Sequence, residues 1–339
     1  MSEHSFLRVE NLSVTFPPKD ARLGGPVFAV RGVSWTLEKG EILGIVGESG
    51  SGKSVSTSAI PSLLPAHAEV TGDIFLEGKQ LVGLPKEDIR SFRGRRIGMI
   101  FQEPGRSYDP LQNIGSVFHE TLANSRPGIS RQESEEEAIR LLTEVGLPQP
   151  RERLGNYPHQ FSGGQLQRIG IALALAQGCD LLIADEPTTA LDVTIQAQIV
   201  ALLKRIRDDR AISILFISHN IDLVATISDR ILVMYGGLVM EEGPTRQVLA
   251  SPAHPYTTAL LAAAPRFDSH YSTSPLLSIP GKVPDPSRPL PGCPFAPRCS
   301  RVMSGCRTEL PPLRWGPQEA DESLARSWRC VFDREEVRL

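Results

Sequence analysis

The residues best suited to chemistry form one short run, Gly47-Glu48-Ser49-Gly50-Ser51-Gly52-Lys53-Ser54. The run matches the pattern G-x-x-x-x-G-K-[ST], in which glycines let backbone amides turn inward around phosphate oxygens. It follows an apolar segment typical of a strand and precedes a helical pattern, and the N-terminus of such a helix favours an anion. We therefore expect Lys53 to contact the β- and γ-phosphates of a nucleotide and the Ser54 hydroxyl to bind Mg²⁺.

A second group of candidate residues ends an apolar segment, Leu181-Leu182-Ile183-Ala184-Asp185-Glu186. Continuous apolar runs of this length are typical of strands buried on both faces, and open α/β sheets bind ligands at the carboxyl ends of such strands. Asp185 is therefore a candidate Mg²⁺ ligand, and Glu186 is a candidate general base for an attacking water. The alternative interpretation is that the two carboxylates cap a helix that starts beside Pro187.

Alternating strand and helix patterns must position these residues, which indicates an α/β fold. Strands are predicted at 41–46, 97–101, 180–184 and 213–217, and a hairpin is predicted at 231–235 and 238–241, split by Gly236-Gly237. Helices are predicted at 53–64, 131–145, 163–176 and 194–208.

The composition limits what the chain can bind. Its 339 residues include 36 basic and 39 acidic side chains, for a net charge of −3, which argues against a protein held mainly by nucleic-acid phosphates or anionic lipid. No apolar run approaches the roughly 18 to 20 residues that span a bilayer. The N-terminus lacks the charged and apolar regions of an export signal. We expect a soluble protein of the cytoplasm.

Proline and cysteine set the last hundred residues apart, because residues 244–339 hold 15 of the 28 prolines. Proline fixes φ and lacks an amide donor, so this stretch predicts an extended connector.

Four cysteines follow in the pattern C-x5-C-x6-C-x23-C: Cys293, Cys299, Cys306 and Cys330. Such a cluster in a reducing compartment indicates a metal site rather than disulfides, and four thiolates suit either zinc or an iron–sulfur cluster. We interpret Cys179 as a small core residue.

The run Phe161-Ser162-Gly163-Gly164-Gln165 lies at a predicted helix start, about twenty residues before Asp185. Together with the two motifs above, it resembles the signature of ABC-transporter ATPases, which more often have leucine where Phe161 stands. Gln102, after the strand at 97–101, is similar to the glutamine of the family's Q-loop. Ala190-Leu191-Asp192 resembles its D-loop, and His219 resembles its switch histidine.

The resemblance implies a P-loop ABC ATPase cassette in residues 1–253. Such a cassette has a RecA-like core, an antiparallel β subdomain and a helical subdomain, here at about 104–178. It also implies that two cassettes share each ATP, so that Ser162, Gly163, Gly164 and Gln165 act on the nucleotide held by the other subunit. Asp192, of the D-loop, is a further candidate for nucleotide binding. Gln102 is then expected at the Mg²⁺ ion and His219 at the γ-phosphate, the alternative being that His219 is a capping or core histidine. An aromatic residue stacks on adenine in this family. We expect Phe16 to be that residue, with Phe28 as the alternative, and either could instead be an ordinary core residue.

The C-terminal part of the sequence narrows the resemblance to one group of ABC transporters. His254-Pro255-Tyr256-Thr257 and the run from Gly292 to Cys299 resemble the C-terminal region of peptide/nickel importer ATPases. This implies a proline-rich connector at 254–292 and a small cysteine-rich module at 293–339, which we expect the connector to hold away from the nucleotide. Some members of that family carry a [4Fe-4S] cluster on this cysteine pattern, so we expect one here, with zinc or unligated thiols as the alternatives.

The function implied is ATP hydrolysis that drives import of dipeptides or oligopeptides, with the chain peripheral on the cytoplasmic face of the membrane. The implied partners are a second, homologous ATPase subunit, two membrane permeases and an extracytoplasmic solute-binding protein. Import of nickel or another small solute is an alternative. A soluble ABC ATPase acting on nucleic acid is disfavoured, because the sequence has no second P-loop and no long coiled-coil insertion.

Overall fold

The computed structural model describes residues 5–18, 25–103, 105, 107–189, 191–264, 278–316 and 326–332. The chain forms two compact units. Unit 1 consists of Met1–Glu38, Ile42–Gly83 and Ile217–Leu339, and unit 2 consists of Lys39–Glu41 and Leu84–Phe216. Across the described ranges, no helix is long and apolar enough to cross a membrane.

Strands and helices alternate along the described chain, which confirms the α/β class. The strands are β1 (Leu7–Phe16), β2 (Val27–Leu37), β3 (Ile42–Val46), β4 (Glu69–Leu76), β5 (Lys79–Gln80), β6 (Ile97–Ile100), β7 (Leu181–Asp185), β8 (Ser213–Ser218), β9 (Arg230–Tyr235), β10 (Leu238–Pro244), β11 (Arg314–Trp315) and β12 (Ser327–Trp328). The α-helices are α1 (Lys53–Ala59), α2 (Lys86–Phe92), α3 (Ile114–Ser125), α4 (Arg131–Glu144), α5 (Pro150–Arg153), α6 (Gly163–Ala176), α7 (Val193–Arg210), α8 (Ile221–Ile227), α9 (Thr245–Ala250) and α10 (Pro255–Ala263).

Unit 1 contains two sheets. The first is antiparallel, with strand order β2-β1-β4-β5, and β1 alternates buried residues such as Val9 and Val14 with more exposed ones. In the second sheet, β3 pairs in parallel with β9, β9 pairs antiparallel with β10, and β12 adds to the far side of β10. All five residues of β3 are buried, which fits an inner strand and places the phosphate-binding run at its carboxyl end.

The turn between β9 and β10 confirms the predicted hairpin. Gly236 and Gly237 have φ values of 58° and 81°, the left-handed pair that a type I′ turn requires. A side chain at Gly237 would also meet the backbone, since its Cβ would lie 2.9 Å from the Ala29 carbonyl oxygen. Both constraints explain why glycine occupies this turn.

Unit 2 combines parallel strands with most of the helices. β6 and β7 pair in parallel, from Ile97 opposite Leu181 to Ile100 opposite Ala184, and β8 lies beside β7. Helices α3, α4 and α6 pack against one another in this unit. The acidic start of α4 is a capping box, in which the Ser130 and Glu133 side chains bond each other's backbone amides.

Predicted and observed elements agree closely where the signal is local. Helix α6 has the bounds predicted for it, and β6, β7 and β8 lie within one residue of their predicted bounds. Helix α1 is shorter than predicted because Pro61 has no amide hydrogen to continue the helical hydrogen bonds and Ser62 has a left-handed φ of 54°. The connector predicted at 254–292 begins as a helix, α10, whose Pro255 occupies the first helical turn, where its missing amide costs no hydrogen bond.

The proline-rich segment that follows lies against unit 1. The Pro286 carbonyl accepts from the Phe28 amide at 2.9 Å, and the Arg31 side chain donates to the Arg288 carbonyl at 2.8 Å. A short 3₁₀ helix, Ala296–Arg298, then leads into the cysteines, and β12 joins the second sheet. The tail is therefore built into unit 1 by backbone hydrogen bonds.

Close packing behind the phosphate-binding strand gives the first prediction. A methyl group on Gly44 of β3 would lie 2.2 Å from Val224 Cγ1 and 2.3 Å from Ser228 Oγ, both on the α8 side. We expect Gly44→Ala to lower the free energy of unfolding by about 1–3 kcal/mol, measured by urea denaturation. The matched control is Gly155→Ala, where an added Cβ has no heavy atom within 4 Å. Equal stabilities for the two variants would contradict this packing.

Candidate functional site

The phosphate-binding loop of unit 1 has the geometry that its sequence predicts. It connects β3 to α1, and a Cβ on Gly47 would lie 2.1 Å from the Met234 carbonyl oxygen, so only glycine fits there. Lys53 is buried, and its Nζ donates to the carbonyl oxygens of Gly47 at 2.7 Å and Glu48 at 3.0 Å. The ammonium group therefore lies against the loop, in position to reach an anion bound there.

Glu48, in the same loop, is held by the tail of the chain. Its carboxylate accepts two hydrogen bonds from Arg298, at 2.5 and 2.9 Å, and its backbone amide donates to the Tyr256 hydroxyl at 2.9 Å. Arg298 also donates to the Tyr235 hydroxyl at 3.0 Å. The expectation that the connector holds the cysteine module away from the nucleotide loop is therefore wrong, since Arg298 immediately precedes Cys299.

Buried aromatic rings support these contacts. Tyr235, Tyr256 and Phe295 are fully or almost fully buried, and their ring centroids lie 4.5 to 5.5 Å apart. Burial raises the pKa of both tyrosines, which keeps their hydroxyls neutral. Tyr256 Oη can therefore accept the Glu48 amide hydrogen, and this tyrosine lies in α10, an element that the sequence analysis did not predict.

His219 lies in unit 1, between β8 and α8, and its side chain is exposed. Helix α8 is capped instead by Asn220, whose Oδ1 accepts from the amides of Asp222 at 3.0 Å and Leu223 at 3.2 Å. The alternative interpretation of His219 as a capping or core histidine is therefore wrong. Its contact with a γ-phosphate stays a prediction.

The two candidate adenine platforms lie on adjacent strands. Phe16 ends β1 and its ring centroid is 5.9 Å from that of His67, whereas Phe28 lies in β2 under the Arg31 guanidinium at 4.9 Å. Both phenylalanines are only partly buried, so neither is an ordinary core residue. Phe28 contacts a guanidinium and Phe16 contacts an imidazole ring, so these contacts do not choose between the two, and adenine stacking on Phe16 stays a prediction.

In unit 2, parallel pairing of β6 and β7 brings Gln102 and Glu186 together. Gln102 Nε2 donates to Glu186 Oε2 at 2.9 Å, and the Thr189 hydroxyl donates to the same oxygen at 2.8 Å. Glu186 has φ of 46°, a left-handed conformation that is strained for a residue with a side chain. Thr189 was missed by the sequence analysis, because a threonine three positions after a glutamate carries no distinctive signal.

Asp185 ends β7 and is buried. The next helix, α7, begins only at Val193 and is capped by Asp192, whose Oδ1 accepts from the Ile195 amide at 3.0 Å. The alternative interpretation, in which Asp185 and Glu186 only cap a helix, is therefore wrong. Of the predicted D-loop, Ala190 lies outside the described residues, and Asp192 has this capping role in addition to its predicted one.

The signature run forms the N-terminus of α6. Ser162 and Gln165 make a capping box, with the Gln165 side chain accepting from the Ser162 amide at 3.0 Å. A Cβ on Gly164 would lie 2.9 Å from Ile195 Cγ2, so a larger residue would push against α7. Phe161 is buried beneath Arg153, as expected for a residue that replaces leucine. Ser162 and Gly163 are exposed, so this helix end is open to a partner.

The four tail cysteines line one small cavity in unit 1, together with His254 and Arg301. Burial raises the pKa of Cys293 to about 11 and also raises the pKa values of Cys299 and Cys330. Within the described residues, no group of three or more His, Cys, Asp or Glu side chains has the arrangement that holds a single metal ion. Cys179 is separate from them, buried in unit 2 against Gly98, which confirms its interpretation as a core residue.

Each unit thus carries its own part of the predicted site. The phosphate-binding loop, Phe16, His219 and the four cysteines lie in unit 1. Gln102, Asp185, Glu186, the signature run and Asp192 lie in unit 2.

Comparisons with known proteins agree with these features. Residues 30–189 match the family described as ABC transporter, and residues 240–306 match the family described as oligopeptide/dipeptide transporter, C-terminal region. The chain is 44% identical over 307 residues to the oligopeptide transport ATP-binding protein OppD of Salmonella typhimurium, covering 91% of this chain and 89% of that protein. It is 43% identical over 307 residues to OppD of Mycobacterium tuberculosis, where it spans about half, 49%, of the relative's length.

Among solved structures, a dimeric post-hydrolysis state of the ATP-binding cassette MJ0796 bound to ADP and Pi is similar in fold. The TM-score is 0.63 at 27% sequence identity, and the match covers 71% of this chain and 99% of that one. The phosphate-binding loop and the signature helix lie within the residues that match the ABC transporter family, and Cys293, Cys299 and Cys306 of the tail lie within those that match the C-terminal region of oligopeptide/dipeptide transporters. The chain belongs to the ABC transporter family, among its oligopeptide and dipeptide transport ATP-binding proteins.

Proposed function

We propose that this protein is the ATP-hydrolysing subunit that energises an importer of dipeptides or oligopeptides. One observation carries the proposal: a single chain combines a P-loop, a signature helix and the C-terminal region of oligopeptide/dipeptide transporters. The names of the Salmonella and Mycobacterium relatives supply the peptide class of substrate. The ATPase itself binds no peptide in this proposal.

In the proposed reaction, the amides of Gly47 to Ser54 bind the phosphates of ATP, and Lys53 stabilises charge on the β- and γ-phosphates. Ser54, Gln102 and Asp185 supply the oxygen donors that suit Mg²⁺, which would neutralise phosphate charge when bound. Glu186 accepts the proton of the attacking water, and its bonds from Gln102 and Thr189 orient the accepting carboxylate. His219 contacts the γ-phosphate, and Phe16 stacks on adenine.

The proposed active form is a pair of cassettes. The exposed N-terminus of α6 presents Ser162, Gly163, Gly164 and Gln165, and a helix N-terminus favours the negative charge of a γ-phosphate. A second cassette's nucleotide would supply that charge, with Asp192 beside it. The dimeric state of the MJ0796 cassette supports this arrangement.

We further propose a peripheral location on the cytoplasmic face of the membrane. The partners would be a second, homologous ATPase subunit and two permeases, which receive substrate from an extracytoplasmic binding protein. The names of the relatives support a transporter, and the family assignment supports docking on permeases.

The four tail cysteines fit a [4Fe-4S] cluster, and we propose that they hold one. Backbone amides of Phe295, Arg301 and Phe332 point at the sulfurs of Cys293, Cys299 and Cys330, which stabilises thiolates. His254 Nδ1 accepts from the Tyr256 amide, so its buried Nε2 carries the hydrogen, and that atom has no partner in the described structure. This orphan donor lines the cysteine cavity and fits a group with sulfur acceptors.

A zinc ion on the same four thiolates is the alternative to a cluster. Four thiolates around a single tetrahedral zinc lie about 3.8 Å apart, given zinc–sulfur bonds of roughly 2.3 Å. The described side chains line one cavity without grouping around one ion. A cluster binds each thiolate to a different iron, so its ligands are more widely spaced. Its role in this proposal is to stabilise the tail or to sense redox state.

Glu186→Gln tests the proposed base. The amide keeps the size of the side chain but cannot accept the proton, so ATP hydrolysis should drop by about 10² or more while ATP binding survives. Steady-state ATPase assays and equilibrium ATP binding on the assembled transporter measure the two effects. Glu87→Gln, on the exposed helix α2, is the matched control. Near-normal turnover of Glu186→Gln would show that another group is the base.

The shared site predicts that activity depends on partners. Since the signature helix serves a neighbouring phosphate-binding loop, the isolated chain should hydrolyse ATP slowly. Co-purification with the second ATPase and the permeases, followed by reconstitution, should raise the rate severalfold above that of the partners alone. A monomeric chain that is as active as the assembled complex would contradict the shared site.

The cysteine site predicts the metal content of the protein. Protein prepared without oxygen should be brown and contain about four irons per chain by elemental analysis. Cys306→Ser should lose this iron, whereas Cys179→Ala, the core cysteine, should retain it. A content of one zinc per chain would show that the cysteines bind zinc instead of a cluster. Four free thiols without any metal would contradict the proposal that these cysteines are metal ligands.

A further inference from the structure

We propose that Arg298 is a positioning residue for the nucleotide loop, which it holds through Glu48. The affinity for ATP then depends on a residue of the tail that lies 250 positions from the loop in sequence. This inference rests on the proposed binding of ATP by the loop and on the contacts of Arg298 and Glu48, and it requires no metal at the cysteines.

The contact has the geometry of a strong ion pair. Both terminal nitrogens of Arg298 donate to the two carboxylate oxygens of Glu48, the bidentate arrangement that fixes orientation as well as distance. The Arg298 side chain is 4% exposed and the Glu48 side chain 23% exposed. Hydrogen bonding to Glu48 is the main cause that raises the pKa of Arg298.

The guanidinium is itself fixed by its other contacts. Its Nε donates to the Pro280 carbonyl and one terminal nitrogen donates to the Ile279 carbonyl, both at 2.9 Å. The Tyr235 hydroxyl receives a further hydrogen bond at 3.0 Å. An arginine with its donors used in this way has few alternative conformations, so Glu48 is tied to a rigid partner.

Three separate contacts converge on Glu48. Arg298 holds its side chain, the Tyr256 hydroxyl accepts from its amide, and Lys53 donates to its carbonyl oxygen. A glycine-rich loop loses much conformational entropy when it closes around phosphates. Contacts that fix the loop beforehand reduce that loss and so strengthen nucleotide binding.

Charge gives a second reason for the pairing. Glu48 is a carboxylate within a loop built to surround phosphates, and an unpaired negative charge there repels a nucleotide. Arg298 neutralises that charge. Removal of the arginine alone should therefore weaken ATP binding more than removal of both charges together.

The test is a set of Arg298 and Glu48 variants in the assembled transporter, with the KM for ATP and kcat measured at constant ionic strength. We expect Arg298→Gln to raise KM about five- to tenfold through loop mobility and phosphate repulsion, with kcat within about twofold of wild type. Glu48→Gln keeps one acceptor for Arg298 but loses the bidentate pair, so its KM should lie between those of wild type and Arg298→Gln. Arg298→Gln/Glu48→Gln removes the phosphate repulsion but not the loop mobility, so it should recover only part of the loss. Arg298→Lys keeps the charge but cannot make the bidentate pair, so its KM should lie between those of wild type and Arg298→Gln.

Two controls separate positioning from general destabilisation. Arg288→Gln changes a side chain that is 80% exposed in the same proline-rich segment, and it should leave KM unchanged. Thermal unfolding of each variant reports folding independently. Partial recovery of KM by the double variant, measured where both variants are folded, identifies the Glu48 charge as one cause of the loss. An Arg298→Gln variant with unchanged KM, or a Glu48→Gln variant with the KM of wild type, would overturn the proposal.

Discussion

A buried carboxylate holds the C-terminal part of unit 1 together. Glu241 of β10 is completely buried, and its oxygens accept from the amides of Ala253 at 2.9 Å and His254 at 3.0 Å and pair with Arg326, which is also buried. Burying this charge without such partners would cost several kcal/mol of folding stability. The segments that carry the partners must therefore pack against Glu241. The contacts fix the start of α10, which carries Tyr256, and place β12 beside β10. The contacts that reach the phosphate-binding loop from the tail therefore depend on this carboxylate.

The two units stabilise their candidate site residues in different ways. In unit 1 the loop around Lys53 is rich in glycine, and its bracing comes from residues far away in sequence, Tyr256 and Arg298. In unit 2, Glu186 is oriented by Thr189, three residues away, and by Gln102 from the adjacent strand. A group that needs only orientation can be held locally. A flexible loop that must bind a large anion is instead stabilised by residues that are distant in sequence.

Sequence alone predicted the parts of the site that depend on local patterns. The phosphate-binding loop, the bounds of α6 and the strand ending in Asp185 all follow from spacing within about ten residues. The contact between Glu48 and Arg298 has no such signal, because two charged residues 250 positions apart show no periodicity. Helix α10 was not predicted because the proline-rich region was interpreted as an extended connector. Pro255, however, lies in the first turn of the helix, where proline is tolerated. The pairing of β12 with β10 was not predicted because β12 has only two residues, too few for a recognisable strand pattern.

The late position of β12 in the chain has a consequence for biosynthesis. Glu241 and Arg326 are 85 residues apart, so β10 is synthesised well before its second neighbour and is the edge of its sheet until then. Unpaired strand edges recruit other chains, and natural proteins discourage this with charged residues that point inward. Glu241 is such a residue on the nascent edge. The carboxylate that stabilises the finished protein therefore also lies where a charge discourages pairing with another chain before β12 is made.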